Sequence, residues 1–272
     1  LMTGRVIDQI FPEIKKKVDE ELLSIENLRI SGDNAVHNAS IKVHRGEVVG
    51  IAGLVGSGKS SMGRACFGLE RILAGKITFK GEVVYNRESH LNKLGPRPML
   101  NRGLYYLPSN RRAEGLVMLQ NVRENVTIAS LALSKFSNKL FLKKRNERNE
   151  SKDVAKRLDL SPPNIERDLE HFSGGNQQKV MVGKCLVRDV DLFIFDEPTV
   201  GVDVGARVAI YEFIRDLCEA GAGVLLISSD LPEILHLTHR SYIMYRGEVR
   251  AELDKSEINE ESVLNYFFEK AA

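Results

Sequence analysis

The string Gly53-Leu54-Val55-Gly56-Ser57-Gly58-Lys59-Ser60 constrains this chain more than any other feature. The β-branched, apolar run Val48 to Ile51 precedes it, and residues that suit a helix follow from Ser60 onward. A strand that passes through such a turn into a helix is a phosphate cradle. Its glycines let the backbone fold tightly enough to aim successive N–H groups at phosphate oxygens, and the helix start adds a dipole that favours anions. Lys59 is then placed to reach the β- and γ-phosphates of a nucleoside triphosphate, and the Ser60 hydroxyl to ligate Mg²⁺. A glycine-rich turn without a ligand leaves the flanking strand and helix unexplained.

Two further signals depend on the first. Asp196 ends the apolar run Leu192 to Phe195, where a carboxylate can reach the Mg²⁺ water shell at the cradle. Glu197 follows at a position where a carboxylate can polarise an attacking water. An Asp-Glu pair after a strand is by itself only a strand end; the cradle upstream makes it functional. The third signal is Phe172-Ser173-Gly174-Gly175-Asn176-Gln177-Gln178-Lys179, whose serine lies 23 residues before Asp196. Ser-Gly-Gly opening a helix is a second phosphate device, built from N–H groups and a hydroxyl with no lysine. One domain needs a single cradle for its own nucleotide. The second is accounted for if it closes on a γ-phosphate held by a partner domain. An ordinary capped helix explains the local residues but not the order of the three motifs.

Around these motifs, Leu23 to Ile30, Ala39 to Ile51 and Lys76 to Val84 read as strands. Leu192 to Phe195 and Val224 to Ile227 read as buried parallel strands, with Tyr211 to Cys218 as the crossover helix between them. Tyr242 to Leu253 reads as a hairpin turning at Arg246-Gly247, and Glu260 to Lys270 as a closing helix. Between about Gln120 and Glu170 the pattern is helical and polar. Lys139, Lys143, Lys144, Arg145 and Arg148 there are interleaved with Glu147 and Glu150 and read as a solvated face rather than a binding patch. Strands alternating with helices, with a helical block between motifs, indicate an α/β sheet carrying an inserted subdomain.

Composition sets the outer limits. With 43% hydrophobic and 28% charged residues, the chain of 272 can bury a sizeable core beneath an ordinary surface. Its 39 basic residues against 37 acidic ones leave a net charge of +2, which makes no overall case for nucleic acid or an anionic surface. Cys66, Cys185 and Cys218 are scattered without metal-ligand spacing and read as thiols in a reducing compartment. No apolar run approaches the ~20 residues that a membrane helix needs. The chain starts at Leu1, and Leu1 to about Leu22 is expected to be a linker, with an amphipathic helix over Ile14 to Leu23 as the competing reading. His37, His171, His236 and His239 lack partner spacing for metal or nucleophilic chemistry and read as solvated or structural.

The order of cradle, Ser-Gly-Gly signature, Asp196-Glu-Pro-Thr and Gly201-Val202-Asp203 resembles the ATP-binding cassette ATPases. More narrowly it resembles the C-terminal cassette of the tandem ATPase subunits of bacterial ribose- and galactose-type importers. Met2-Thr-Gly4-Arg5, Gly46 to Gly56, Ser173 to Val180, Gly201 to Ala206 and Ile227-Ser-Ser-Asp-Leu-Pro-Glu233 carry this. The resemblance implies a P-loop α/β fold with a mainly parallel core sheet, an antiparallel β subdomain and a helical subdomain at about 120–178. Residues 23–272 would form one cassette, and 1–22 a linker from an N-terminal cassette.

Family architecture implies that two cassettes pack head to tail, each ATP lying between one P-loop and the opposite signature. Gly53 to Ser61 would hold ATP, Ser60 and Asp196 would support Mg²⁺, and Glu197 would be the general base. Ser173, Gly174, Gly175, Asn176 and Gln177 would face the partner's ATP, and Asp203 the contact between cassettes. The implied partners are an N-terminal cassette of the same subunit, membrane-spanning permease subunits and, indirectly, a sugar-binding protein, with no nucleic acid. Pro108 to Asn125 would face the permease, at the cytoplasmic side of the bacterial inner membrane. The chain departs from the family where a glutamine usually follows the strand Leu104 to Leu107, which here leads to Ser109, and where a histidine usually stands, here Ser229. Two readings stay open: a cassette that hydrolyses MgATP to drive import, or one that binds ATP and mainly lends its signature to a partner. A cassette protein of translation or DNA repair would show a long coiled-coil insertion or a basic groove, and neither reads from the sequence between Lys59 and Ser173.

Overall fold

The computed structural model describes residues 10–17, 20–138 and 140–267. In chain order, β1 is Glu21–Ile30, β2 Val36–His44, β3 Val48–Gly53 and α1 Lys59–Cys66. Next come β4 Ile72–Phe79, β5 Glu82–Asn86, β6 Leu91–Asn92, α2 Pro96–Arg102 and β7 Leu104–Leu107. The middle of the chain holds α3 Val122–Thr127, β8 Ser137–Asn138, β9 Phe141–Leu142, α4 Lys144–Arg157 and α5 Gly174–Leu186. It ends with β10 Leu192–Asp196, α6 Val204–Glu219, β11 Gly223–Ser228, α7 Leu231–Leu237, β12 Arg240–Tyr245, β13 Glu248–Asp254 and α8 Glu260–Phe267.

Two compact units divide the chain: one takes Leu1–Tyr106, Val190–Glu197 and Tyr211–Ala272, the other Leu107–Asp189 and Pro198–Ile210. The first unit is organised on a sheet of order β6-β5-β4-β1-β2-β13-β12-β3-β11-β10-β7. Neighbours β10, β11, β3 and β12 run parallel, whereas β1, β2, β4, β5 and β6 pair antiparallel. The central strands β3, β10 and β11 are buried at every residue. That is why they read as continuous apolar runs instead of alternating. Leu28, Ile41, Ile51, Met62, Ile194 and Ile227 belong to the main core of this unit.

The second unit has its own core, in which Val122, Val126, Phe136, Val154, Leu169 and Val180 are buried together. Local chemistry sets its helix starts. Asn121 and Glu124 close a reciprocal capping box on α3, and the Ser173 hydroxyl accepts from the Asn176 N–H at the start of α5.

Three expectations change. Ala39 to Ile51 is not one strand: β2 and β3 are separated at Arg45–Glu47, and Gly46 adopts φ +66°. Lys76 to Val84 is a hairpin, with Lys80 and Gly81 both at positive φ between β4 and β5. The polar block contains the short hairpin β8–β9 between its helices, and the compact unit around it begins at Leu107, well before 120. Of the expected linker, residues 1–9, 18 and 19 lie outside the described residues. Ile10 to Lys17 forms no helix, and β1 already starts at Glu21, so the competing amphipathic helix is not formed there. Instead Phe11 stacks between Tyr211 and His236, at 4.9 and 4.6 Å between ring centroids. His239 is structural: its Nδ1 accepts from Val48 N at 2.9 Å, and its Nε2 lies 3.0 Å from Ile14 O.

Candidate functional site: a phosphate cradle and a separate Ser-Gly-Gly turn

The cradle forms where β3 turns into α1. Gly58 is the N-cap of α1 and sits at φ +92°, a left-handed conformation that a side chain would strain. A β-carbon there would also lie 3.0 Å from Ala35 O. Because the cap residue has no side chain, the first N–H groups of α1 carry no side-chain cap and remain available to an anion. Gly53, Leu54, Val55, Gly56 and Ser57 form the loop before it; Val55 is 90% exposed at the tip. Ser57 is buried, and its Oγ has no hydrogen-bond partner among the described residues. Ser61 is tied down through Oγ to Asn34 O at 2.9 Å.

Two carboxylates, Asp196 and Glu197, converge on this turn. Ser60 Oγ donates to Asp196 Oδ1 at 2.8 Å, and Tyr106 Oη donates to Asp196 Oδ2 at 2.8 Å. Lys59 Nζ lies 3.0 Å from Glu197 Oε1, both side chains being largely buried. Glu197 also accepts from Ser229 Oγ at 3.1 Å, and its N–H donates to Ile227 O at 2.8 Å. Its backbone has φ +49°, uncommon for a residue with a side chain. The parallel register of β10 and β11, Asp196 opposite Ile227, brings Glu197 beside Ser229. Asp196 is 1% exposed. Burial holds its carboxyl above the usual carboxylate range; Glu197 adds to this, while Tyr106, Ser60 and Lys59 oppose it. A buried carboxylate with a hydroxyl beside it offers hard oxygen donors whose charge a divalent cation would stabilise.

The second unit presents the Ser-Gly-Gly turn. Ser173 Oγ receives the Asn176 backbone N–H at 3.4 Å and its Nδ2 at 2.9 Å. Gly175 permits a close approach: a β-carbon there would lie 2.9 Å from Asp203 Oδ2 and 3.0 Å from Ala206 Cβ. Asp203 Oδ1 in turn accepts from Ala206 N at 2.9 Å and so caps α6. Ser173, Gly174, Gly175, Asn176 and Asp203 are therefore brought together. Gln177 differs from expectation. Its side chain is buried, with Nε2 donating to Leu169 O and Phe172 O at 3.2 and 2.9 Å, so it faces inward. The helix phase places residue 177 on the buried side of α5, where an amide must satisfy backbone carbonyls.

Two residues that sequence reasoning overlooked take part. Tyr106 was legible only as an apolar strand residue, yet its hydroxyl holds Asp196. Arg111 follows the exposed Ser109 and approaches Gln177 Oε1, Val200 O and Gly201 O at 3.4, 3.4 and 3.5 Å. No local pattern marks that arginine.

A family model described as ABC transporter matches residues 36–200. The chain is 38% identical over 268 residues to the ribose import ATP-binding protein RbsA of Caldanaerobacter subterraneus subsp. tengcongensis, covering 97% of this chain and 51% of that protein. It is 35% identical to a putative ribose/galactose/methyl galactoside import ATP-binding protein of Rhizobium etli, covering 97% and 48%. The chain thus spans about half the length of the curated relatives it matches. Among solved structures, a nucleotide-free ATP-binding cassette from an ABC transporter aligns at TM-score 0.71 and 24% identity, over 91% of this chain and 95% of that one. MJ1267, an ATP-binding cassette of an ABC transporter, aligns at 0.74 and 23%, over 92% and 100%. These likenesses carry the fold, and the family match spans the cradle, the signature and the Asp-Glu pair: the chain belongs to the ABC transporter family.

Proposed function

We propose that this chain is a nucleotide-binding cassette that binds MgATP at Gly53 to Ser61 and hydrolyses it when a second cassette closes on that site. The observation that supports this most is the convergence of Ser60 and Tyr106 on Asp196, and of Lys59 and Ser229 on Glu197. The N–H groups at the start of α1 and the Lys59 amine would hold the phosphates. Mg²⁺, held at Ser60 and Asp196, would neutralise charge on the β- and γ-phosphates. Glu197 would take a proton from water as its oxygen attacks the γ-phosphorus and the bond to ADP breaks. In reaching that position Glu197 would give up Lys59, whose amine turns to phosphate. Ser173, Gly174, Gly175 and Asn176 would close on the γ-phosphate of a partner cassette, with Asp203 near that contact and Gln177 supporting the turn from within.

The relatives' names supply the substrate class: import of a ribose- or galactose-type sugar. Permease subunits, approached through Pro108 to Asn125, a sugar-binding protein and a position at the inner face of the bacterial membrane belong to the same proposal. No helix among the described residues is long and apolar enough to cross a membrane, so passage of sugar would fall to those partners. Residues 23–272 would be the cassette, and 1–22 its connection to a second one.

A second reading has its own support. Ser109 and Ser229 stand where glutamine and histidine are usual, and Ser229 Oγ already bonds Glu197. On that reading the cassette binds ATP but turns it over slowly, serving chiefly its partner's site. The test of the shared core is MgATP affinity of the parent and of Lys59→Ala. A loss of at least about tenfold is expected, since a charge-assisted contact to phosphate contributes about 1.5–3 kcal/mol. Equal affinities would remove the cradle from the account.

A further inference from the structure

The net charge of +2 conceals a segregated stretch in the second unit. From Asn125 to Asn146 the sequence holds five basic residues, Lys135, Lys139, Lys143, Lys144 and Arg145, and no acidic one. Within it lies the hairpin β8–β9, whose turn and return strand expose three consecutive large apolar side chains: Leu140 at 86%, Phe141 at 73% and Leu142 at 50%. Single exposed apolar residues are ordinary, but a run of three beside uncompensated cations calls for a partner.

The hairpin is built to present this tip. Its base is fixed: Phe136 is fully buried in the core of the unit, Lys143 N donates to Phe136 O at 2.7 Å, and Asn146 Nδ2 donates to Lys135 O at 2.8 Å. Lys143 Nζ reaches Ser134 O at 2.7 Å, and Lys135 is paired with Glu150 at 3.0 Å. Among the described residues, Lys144 and Arg145 have no carboxylate partner. They occupy the first turn of α4, the end at which a helix dipole disfavours cations, so helix stability does not account for them. Hydrocarbon and anion would have to be met at one place. A phospholipid surface provides both, acyl chains for the tip and phosphates for the cations at its base.

We propose that the β8–β9 hairpin is an interfacial anchor that docks this unit on an anionic phospholipid bilayer, with Leu140, Phe141 and Leu142 in the acyl boundary and Lys143, Lys144 and Arg145 at the headgroups. This goes beyond the nucleotide reading and does not depend on it. An acidic loop of a protein partner would satisfy the cations but leave three adjacent apolar side chains to find a groove.

The chain contains no tryptophan, so Phe141→Trp places a single reporter at the tip. On vesicles of phosphatidylcholine with phosphatidylglycerol, its emission should shift to the blue and be quenched by brominated acyl chains; on phosphatidylcholine alone the effect should be weak. Co-sedimentation of the otherwise unaltered chain with the mixed vesicles should weaken at least about tenfold in Leu140→Ser/Phe141→Ser. It should fall by about fivefold for each charge removed in Lys144→Gln/Arg145→Gln, and with added salt. Thermal melting of each variant, expected to match the parent because the side chains are exposed, excludes misfolding as the cause. An unshifted emission on mixed vesicles, or sedimentation indifferent to both double variants, overturns the anchor. So does a shift seen only when a membrane protein is present in the vesicles, which would assign the tip to a protein partner.

Discussion

Glu47 immediately precedes β3, the strand that delivers the cradle, and is 1% exposed. Arg240 opens β12, the neighbour of β3, and grips Glu47 with two nitrogens: Nε to Oε1 at 2.9 Å and Nη2 to Oε2 at 3.0 Å. His44 N donates to Oε2 at 3.3 Å, and Lys16 Nζ lies 3.3 Å from Oε1. Burial alone would raise the Glu47 carboxyl, yet Arg240, His44 and Lys16 together more than offset it and hold the group at about 2 against an ordinary 4.5. At 1.36 kcal/mol per tenfold in acidity, that difference amounts to about 3 kcal/mol of native-state stabilisation. The sign follows from the direction. A carboxyl depressed in the native state contributes in full above about 4.5 and loses its contribution as pH falls from there toward about 2. Glu47→Gln preserves the shape, removes the charge and leaves the buried Arg240 facing an amide. It should destabilise the fold by about 3 kcal/mol at neutral pH, the lower end of the range for breaking a buried pair, because Arg240 keeps Glu252 and Lys42 O as partners. Urea unfolding followed by circular dichroism measures this. The gap between parent and variant should narrow as pH is lowered below about 4.5. A variant within about 0.5 kcal/mol of the parent at neutral pH, or a gap independent of pH, would refute the reasoning.

Asp196→Asn should weaken MgATP binding by about 100-fold or more while leaving the melting temperature unchanged or higher, since it removes a buried charge; calorimetry and thermal melting read the two effects separately. Tyr106→Phe strips Asp196 of a buried donor and should cost about 1.5–3 kcal/mol in urea unfolding, with Mg²⁺-nucleotide recovering part of the loss. In the proposed transporter, Ser173→Arg should abolish most ATP turnover, because bulk and charge would then meet the nucleotide proposed to lie opposite the Ser-Gly-Gly turn. On the reading in which this cassette chiefly serves its partner's site, Glu197→Gln should cost much less than the same change in a second cassette. Turnover stopped by Glu197→Gln and spared by Ser173→Arg would refute that second reading.

The cradle was legible because its chemistry is local. Gly58 must take a left-handed conformation, Lys59 and Ser60 must follow it directly, and a strand must lead in, so adjacent residues specify the whole device. The buried runs at β10 and β11 were equally plain, since a strand covered on both faces has no alternation to conceal. What adjacency does not encode came from the tertiary structure. The hairpin inside Lys76 to Val84 reads as one strand because Lys80 and Gly81 interrupt only two positions of an apolar pattern. Tyr106 meets Asp196 across 90 residues of sequence, and Ser229 meets Glu197 across 32, through the lateral order of strands. Gln177 illustrates the limit from the other side: the motif includes it among outward-facing residues, but the phase of α5 turns its amide inward. The sequence by itself determined where the chain would turn from strand to helix in a loop suited to phosphate. Only the tertiary structure decided which carboxylates and hydroxyls stand around that turn, because strand order and register, unlike a glycine's φ, depend on contacts between distant segments.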